Sequence, residues 1–507
     1  MVGDYLPSAV DEAEKALIEQ GVDIFQRGSF IVRPAAATVV IRGGAEIDSE
    51  QLFQVQPSEM REHMTTAASF LRYDARNSAW KLTNCPDDVA RNYLERRGRW
   101  CLRFLHGIVT APTLRADGTV LDRPGYDEAT GLLFNPPSAV EFPAIPDNPT
   151  REDLLGALKI LKDLLGTFPF ETPADFSVTL SAILTSVIRR TLKTAPMHTF
   201  SAPRRGSGKG KLADIVAVIA TGREASAIVQ GRTEEETEKR LGAVPLSGDA
   251  VIILDNCTLP LEGDFLNAML TAASVKPRIL GKSEAPKLPG NVMMLATGNN
   301  LTVKGDMTRR VLRCTIDPKM EYPEQRDFKN EPVADAKRDR LLYLAAALTI
   351  LRAYNVAGRP KMSVPLGSFE QWNMVRDALI WLDEADPCDT KGAIEADDPE
   401  KDQLAAVLQH WYELVGMDRV STKELIQRAE ASAENLLGEP NSGLLDTLRA
   451  VAPGTKGDAA VSSDRLGKYL GRNAKAVVGD KRLVTDGERA RAKLWRLEIV
   501  GADAQTQ

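Results

Sequence analysis

The chain has 507 residues, too many for one hydrophobic core, and ordinary domain sizes divide it into about two to four. Apolar residues make up 43% and charged residues 26%, a balance that excludes wholesale disorder. The net charge of −6 excludes a uniformly basic surface, so any contact with nucleic acid must come from local patches.

No apolar run reaches the roughly 18–20 residues that a membrane span needs, and the N-terminus lacks the basic-then-apolar layout of a signal peptide. Five scattered cysteines without a CxxC pair argue against a disulfide framework, and four histidines without metal-site spacing argue against zinc. The chain reads as cytoplasmic, with no membrane partner.

In chain order, residues 4–20 have helical spacing, and 25–34 form a short hairpin around Arg27 and Gly28. Residues 91–103 (RNYLERRGRWCLR) carry five Arg against one Glu. Tyr93, Trp100 and Phe104 interleave with these arginines, a pattern that fits base stacking but is more often the core face of an amphipathic helix, the reading preferred here. Residues 107–137 are strand-rich with Asp-Gly and Pro-Gly turns, and 143–153 is a Pro-rich linker. These segments make an N-terminal α+β domain over 1–148 without an assigned role. Helices near 151–166 and 174–191 precede strands at 197–202, 226–230, 250–255, 291–297 and 311–316. This alternation predicts an α/β core with a parallel sheet over 149–335. Helical segments then dominate a subdomain over 336–416, interrupted by an acidic loop at 384–402. Short helices and a terminal hairpin fill 417–507.

The segment HTFSAPRRGSGKGKLADIVAVIA (198–220) sets an apolar strand, a glycine-rich turn, a lysine and an apolar helix in the order of a phosphate-binding loop. Gly206 and Gly208 let backbone N–H groups converge on phosphate oxygens, the helix adds its positive end, and Lys209 meets the β- and γ-phosphates. Gly206, Ser207, Gly208, Lys209, Gly210 and Lys211 are the predicted ATP-binding set. Two positions depart from GxxxxGK[ST]: Pro203 replaces the leading Gly, and Gly210 the Ser/Thr that normally ligates Mg²⁺. Water or Ser207 is left to supply that ligand. The unbroken apolar strand AVIILDN (250–256) ends in Asp255, a carboxylate placed to hold Mg²⁺. Asn256 stands where a water-polarising Glu is usual; it can orient a water but not deprotonate it. A further strand ends in Thr297-Gly298-Asn299-Asn300, where an amide can sense the γ-phosphate. Arg309 and Arg310 follow, and one of them, with Arg310 taken first, is a candidate arginine finger for a neighbouring subunit's ATP.

APRRGSGKGK, the strand ending LDN, TGNN and GDMTRR, in that order, resemble the AAA+ helicase/ATPase component of phage and mobile-element primase–helicase proteins, akin to superfamily 3 helicases. RILGKS (278–283), RPGYDEATGL (123–132) and VRDALIWLDEADP (375–387) strengthen the resemblance, which spans about residues 50–415. It implies an AAA+ P-loop core with a helical lid, a homo-hexameric ring, ATP and Mg²⁺, and translocation on single-stranded and forked DNA during replication of the element. It also implies a channel hairpin between the acidic and sensor strands, which makes Arg278, Lys282 and Lys287 candidate DNA contacts. No primase active-site acids are apparent, so a separate primase or polymerase is the expected partner.

Residues 462–497 hold ten Lys/Arg against four Asp/Glu. The helix at 461–473 and two strands within 482–500 resemble a winged helix, with Lys468, Arg472, Arg489, Arg491 and Lys493 as phosphate contacts. Two alternatives to the motor stay open. One is an AAA+ initiator or loader that melts or marks an origin. The other is a non-catalytic DNA-binding regulator with a degenerate nucleotide site, to which Gly210 and Asn256 give weight.

Overall fold

The computed structural model describes residues 5–40, 46–138, 140–277, 286–325, 331–434, 442–454, 460–489 and 492–500. They fall into two compact units, 1–302 with 309–391, and 303–308 with 392–507.

The first unit begins with helices Leu6–Glu19, Pro57–Ala67 and Asp87–Glu95 around a core that includes Leu17, Met60, Met64, Tyr93 and Trp100. The arginine-rich segment is therefore not one long helix. The helix stops at Glu95, and the chain turns so that Trp100 donates to the Tyr93 carbonyl at 2.6 Å while Tyr93 donates to Glu14 at 3.0 Å. Both aromatics are core, as their spacing implied, because each polar tip finds an internal partner. Phe104 differs, with 57% of its surface exposed.

The chain then builds a five-stranded parallel sheet. Helices α1 (Arg151–Leu165) and α2 (Pro173–Ile188) lead into strand β1 (Met197–Ala202) and helix α3 (Lys209–Thr221). Strands β2 (Ser226–Val229), β3 (Val251–Cys257), β4 (Met293–Asn299) and β5 (Val311–Thr315) follow, then helix α4 (Arg340–Val356). The order across the sheet is β2-β3-β4-β1-β5, every pair parallel. The strand β4 thus lies between the loop strand β1 and the acidic strand β3. Both β1 and the apolar stretch of β3 are buried, as expected of strands covered on both faces. Helix α2 is buried along nearly its whole length, and its start is fixed by reciprocal hydrogen bonds between Thr172 and Asp175.

Two features hold α3 in place. It opens at Gly208 and closes at Gly222, both in the left-handed region that favours glycine. The Arg340 guanidinium then caps its far end, donating to the carbonyls of Val218, Ile219 and Ala220 at 3.1–3.2 Å. Burial lowers the Arg340 pKa to about 10, which still leaves it a cation at the negative end of the helix.

The expected acidic loop at 384–402 is mostly helical: Pro387–Thr390 is a 3₁₀ turn, Lys391–Ala396 a short helix, and a long helix starts at Pro399. Its acids serve as caps. Asp386 accepts from the Cys388 N–H and Asp398 from the Glu400 N–H, so helix starts account for the charge that resembled a loop. In 375–387, Arg376 grips Asp386 through two hydrogen bonds, an internal brace. In 123–132, Asp127 likewise ties Arg115 to Thr130.

In the second unit, helices Pro399–Val415, Thr422–Ala433, Gly443–Val451 and Ser463–Arg472 pack on a four-stranded antiparallel sheet over Leu408, Trp411, Leu466, Leu470 and Trp495. Its long hairpin pairs Lys481–Arg489 with Ala492–Ile499.

Candidate functional site

The loop between β1 and α3 leaves the carboxyl edge of the sheet. Gly206 (φ +72°) and Gly208 (φ +99°) both adopt backbone that L side chains rarely reach. A Cβ at Gly206 would stand 3.0 Å from Glu324, and one at Gly208 3.3 Å from the Phe168 ring, so close neighbours add to the backbone preference for glycine at both positions. Pro203 to Gly206 are exposed, as is Gly210.

Lys209 turns back over this loop. Its Nζ donates to Asn299 Oδ1 at 2.7 Å and to the Arg204 carbonyl at 3.1 Å. Burial holds its pKa below the usual lysine range, with Asp255 opposing that shift. Of the two sensor asparagines, Asn299 is the one that touches Lys209; Asn300 is exposed and its backbone N–H bonds the Ala202 carbonyl at 3.0 Å. Asp255 stands exposed at the end of β3. Thr297, in the next strand, donates to Asp255 Oδ1 at 2.6 Å and accepts from the Asn256 N–H at 3.0 Å. Lys209, Asp255 and Asn299 thus come together at one edge, and Thr297 is a positioning residue that the sequence marked only as a strand end.

The structure gives a reason for Asn at 256. Its φ is +51°, and the β3–β4 register shifts between Leu254 and Cys257. Asn tolerates the left-handed region, whereas most other residues pay about 1–2 kcal/mol there. The backbone at this strand end therefore disfavours a Glu at position 256. Ser207 is no magnesium ligand in this arrangement: it is buried, and its hydroxyl donates inward to the Arg204 carbonyl at 2.8 Å. A Cβ at Gly210 would meet nothing within 4 Å. Lys211 is half-buried and pairs with Glu331 at 3.0 Å.

Asp214 went unnoticed in the sequence, hidden in an apolar helix, although it lies one turn beyond Gly210 on the same face of α3. Burial first, then Glu224 and, more weakly, Asp255, push its pKa up to about 6. The unfolded carboxyl releases its proton near pH 4. Between about pH 4 and 6 the native state therefore holds the extra proton, and stability falls as pH rises through that window. Asp214→Asn is expected to raise the melting temperature at pH 8 and to change it little at pH 4. An equal gain at both values would show that the carboxylate charge is not the cause.

Arg309 and Arg310 lie elsewhere. They immediately precede β5, and the Arg310 carbonyl accepts from the N–H of Met197, the first residue of β1. In a parallel sheet this is the amino edge, opposite the phosphate loop. The length of β1 alone separates the two edges by roughly 16 Å at about 3.3 Å per residue. Arg309 is exposed and Arg310 half-buried.

Among the expected DNA contacts, Arg278, Lys282 and Arg491 lie outside the described residues, as does RILGKS. Lys287 is exposed at the base of a small hairpin in which Ser274 and Val275 pair with Pro289 and Leu288. On the second unit Lys468, Arg472, Arg489 and Lys493 are all exposed; Lys468 pairs with Asp464 at 2.8 Å and Arg489 with Glu424 at 2.7 Å. No helix among the described residues is long and apolar enough to cross a membrane.

No family model and no curated protein matches the chain. Among solved structures, the apo C-terminal region of NrS-1 is similar at 12% identity, over 88% of this chain and 100% of that one, with a TM-score of 0.36. SCCmec type IV Cch, described as an active helicase, is similar at 11% identity over 94% and 98%, with a TM-score of 0.36. JCV helicase is similar at 14% identity over 49% and 73%, with a TM-score of 0.21.

Proposed function

We propose that the chain is an ATP-driven, helicase-like motor that forms a ring of identical subunits, six in number by its family resemblance, and moves along single-stranded DNA in the replication of a phage or mobile element. The observation that carries this proposal is the Lys209 ammonium held at the mouth of a glycine-rich loop, 2.7 Å from Asn299 Oδ1, with Asp255 presented from the same sheet edge.

These groups fit a magnesium nucleotide. Loop N–H groups and the start of α3 would receive the phosphates. Lys209 has one amide and one carbonyl as its partners, both of which a phosphate oxygen can replace. Asp255, oriented by Thr297, is the carboxylate available to Mg²⁺, and a bound Mg²⁺ would neutralise charge on the β- and γ-phosphate oxygens. In this scheme Asn299, already bonded to Lys209, registers the γ-phosphate. The carboxyl-terminal unit, with its basic helix and hairpin, is a winged-helix-like DNA contact in this scheme.

Because position 210 has open space, it offers a direct test of metal placement. Gly210→Ser is expected to restore the absent hydroxyl and lower the Mg²⁺ concentration for half-maximal hydrolysis by about tenfold, while strengthening the helix by about 0.5 kcal/mol. An unchanged Mg²⁺ dependence would remove position 210 from the metal's surroundings.

The function is tested by assaying ATP hydrolysis with and without single-stranded DNA across a gel-filtration profile. Hydrolysis confined to a large assembly and stimulated by DNA is the expected result. Nucleotide binding with no hydrolysis in any fraction would replace the motor with a DNA-binding regulator, the alternative to which Gly210 and Asn256 give weight. Hydrolysis without strand displacement on a forked duplex would replace it with an initiator or loader.

A further inference from the structure

A second cationic feature of the first unit shares no residue with the phosphate loop. It is a cleft of about 1360 Å³ between the N-terminal hairpin, the end of α2 and the base of the small hairpin at Lys287. That exceeds the ~300–1,000 Å³ of ordinary small-ligand pockets, which points to an extended ligand.

The walls are locked by close backbone approach. Gly28 has φ +61°, and a Cβ there would stand 2.5 Å from the Lys287 carbonyl oxygen, so the Arg27-Gly28 turn rests directly on that segment. Arg27 is buried beneath the turn and donates to the carbonyls of Leu105 (3.3 Å), His106 (3.1 Å) and Pro245 (2.9 Å). Arg190, also buried, donates to Asn291 Oδ1 at 3.1 Å. Beside it Arg189 donates to the carbonyls of Val292, Leu192 and Gly290 at 2.8–3.0 Å. Neither Arg27 nor Arg189 has a carboxylate partner among the described residues. Neutral carbonyls take most of these donors without cancelling the charge, and Asp249 is the acid that acts on Arg190, so three guanidinium charges against one carboxylate leave the floor of the cleft net positive. Burial lowers the Arg27 and Arg189 pKa values to about 9 and that of Arg190 to about 10, which leaves all three charged at pH 7.

Above this floor Lys193 and Lys287 are exposed at the rim. Arg115 also lines the cleft, but Asp127 neutralises it at 2.8 Å; Asp117 is the one acid among the described lining residues. Phe104 presents an exposed ring to the same space. Its backbone is fixed on both sides, since Tyr126 Oη donates to its carbonyl at 2.7 Å and the next N–H, of Leu105, bonds the Gln26 carbonyl at 2.8 Å. A pinned aromatic ring beside a cationic track is the combination that takes unpaired bases by stacking and their backbone by charge.

We propose that this cleft is a binding site for single-stranded nucleic acid, in which Phe104 stacks on a base while Lys193 and Lys287 meet the flanking phosphates over the charged floor of Arg27 and Arg190. The site needs no nucleotide, so it stands or falls separately from the motor function.

The test is fluorescence anisotropy of a labelled oligo-dT with the full chain, without nucleotide, over a salt series. Phe104→Ala is expected to weaken binding about 5- to 100-fold and to leave the salt slope unchanged. Lys193→Gln and Lys287→Gln are each expected to reduce that slope by about 0.7. Lys159→Gln, on an exposed helix face away from the cleft, serves as the control that leaves it unchanged. All three cleft side chains are exposed, so loss of fold does not obscure the result. Wild-type affinity and slope in all three variants would overturn the proposal. A duplex competing as well as the single strand, with the same loss of slope, would overturn the single-strand assignment. Normal DNA-stimulated hydrolysis alongside unaltered oligonucleotide binding would retain the motor and reject the cleft.

Discussion

Lys209→Ala is expected to lower ATP hydrolysis by about 10²-fold or more, the scale on which a preorganised charge donor acts in a transition state. The fold should not register the change. The side chain is only half-buried, and its ammonium is made less favourable there by burial, so its removal costs little stability. A melting temperature near wild type with hydrolysis lost is therefore the diagnostic pair. Lys209→Arg should also fail. The ammonium fits between an amide oxygen and a loop carbonyl as a compact point donor, and a planar guanidinium cannot occupy that position without displacing the loop. Asn299→Ala should be milder, because Lys209 keeps the Arg204 carbonyl. Wild-type hydrolysis by Lys209→Ala would remove the phosphate loop from the chemistry and the motor with it.

The skeleton of the parallel sheet was legible because its central strands β3 and β4 open on the continuous apolar runs VIIL and MMLA and carry Asp255-Asn256 and Gly298-Asn299 near their ends. The strand expected at 197–202 forms over those residues, and the one at 311–316 ends one residue early. The phosphate loop was legible for a related reason, since its glycines, lysine and following helix are local in sequence. What sequence could not display were contacts across the sheet. Thr297 reaches Asp255 from a neighbouring strand, and no spacing rule joins residues 42 apart. Asp214 was masked by the apolar helix around it. Asn256 was read as a missing base, when its left-handed backbone supplies a conformational reason for Asn. The acids of 384–402 misled in the opposite direction: cap residues and loop residues share a composition, and only the hydrogen bonds of Asp386 and Asp398 distinguish them. Phe104 was grouped with Tyr93 and Trp100 by spacing, yet the helix ends before it and leaves its ring in the open.

Arg309→Ala is expected to leave ATP binding intact and to lower turnover by about 10³- to 10⁵-fold, the range for an arginine that neutralises transition-state charge. The sheet supplies the reason. Arg309 and Arg310 stand at the amino edge and the phosphate loop at the carboxyl edge, so neither arginine can serve the loop of its own chain while the strands stay in register. If either acts in hydrolysis, it acts on another copy. Between the two, exposure reverses the order taken from sequence. Arg309 is exposed, whereas Arg310 is half-buried and its carbonyl bonds to Met197, so Arg310→Ala should affect stability more than turnover. Mixing provides the sharper measurement. Lys209→Ala and Arg309→Ala proteins are each expected to be inactive alone. Combined in equal amounts within a head-to-tail ring, about a quarter of the interfaces would pair an intact Lys209 with an intact Arg309. Hydrolysis should then reappear in the mixture, which two independent defects confined to single chains cannot produce. A mixture as inactive as its components would place both residues in one chain's site, and the parallel sheet leaves no path for that.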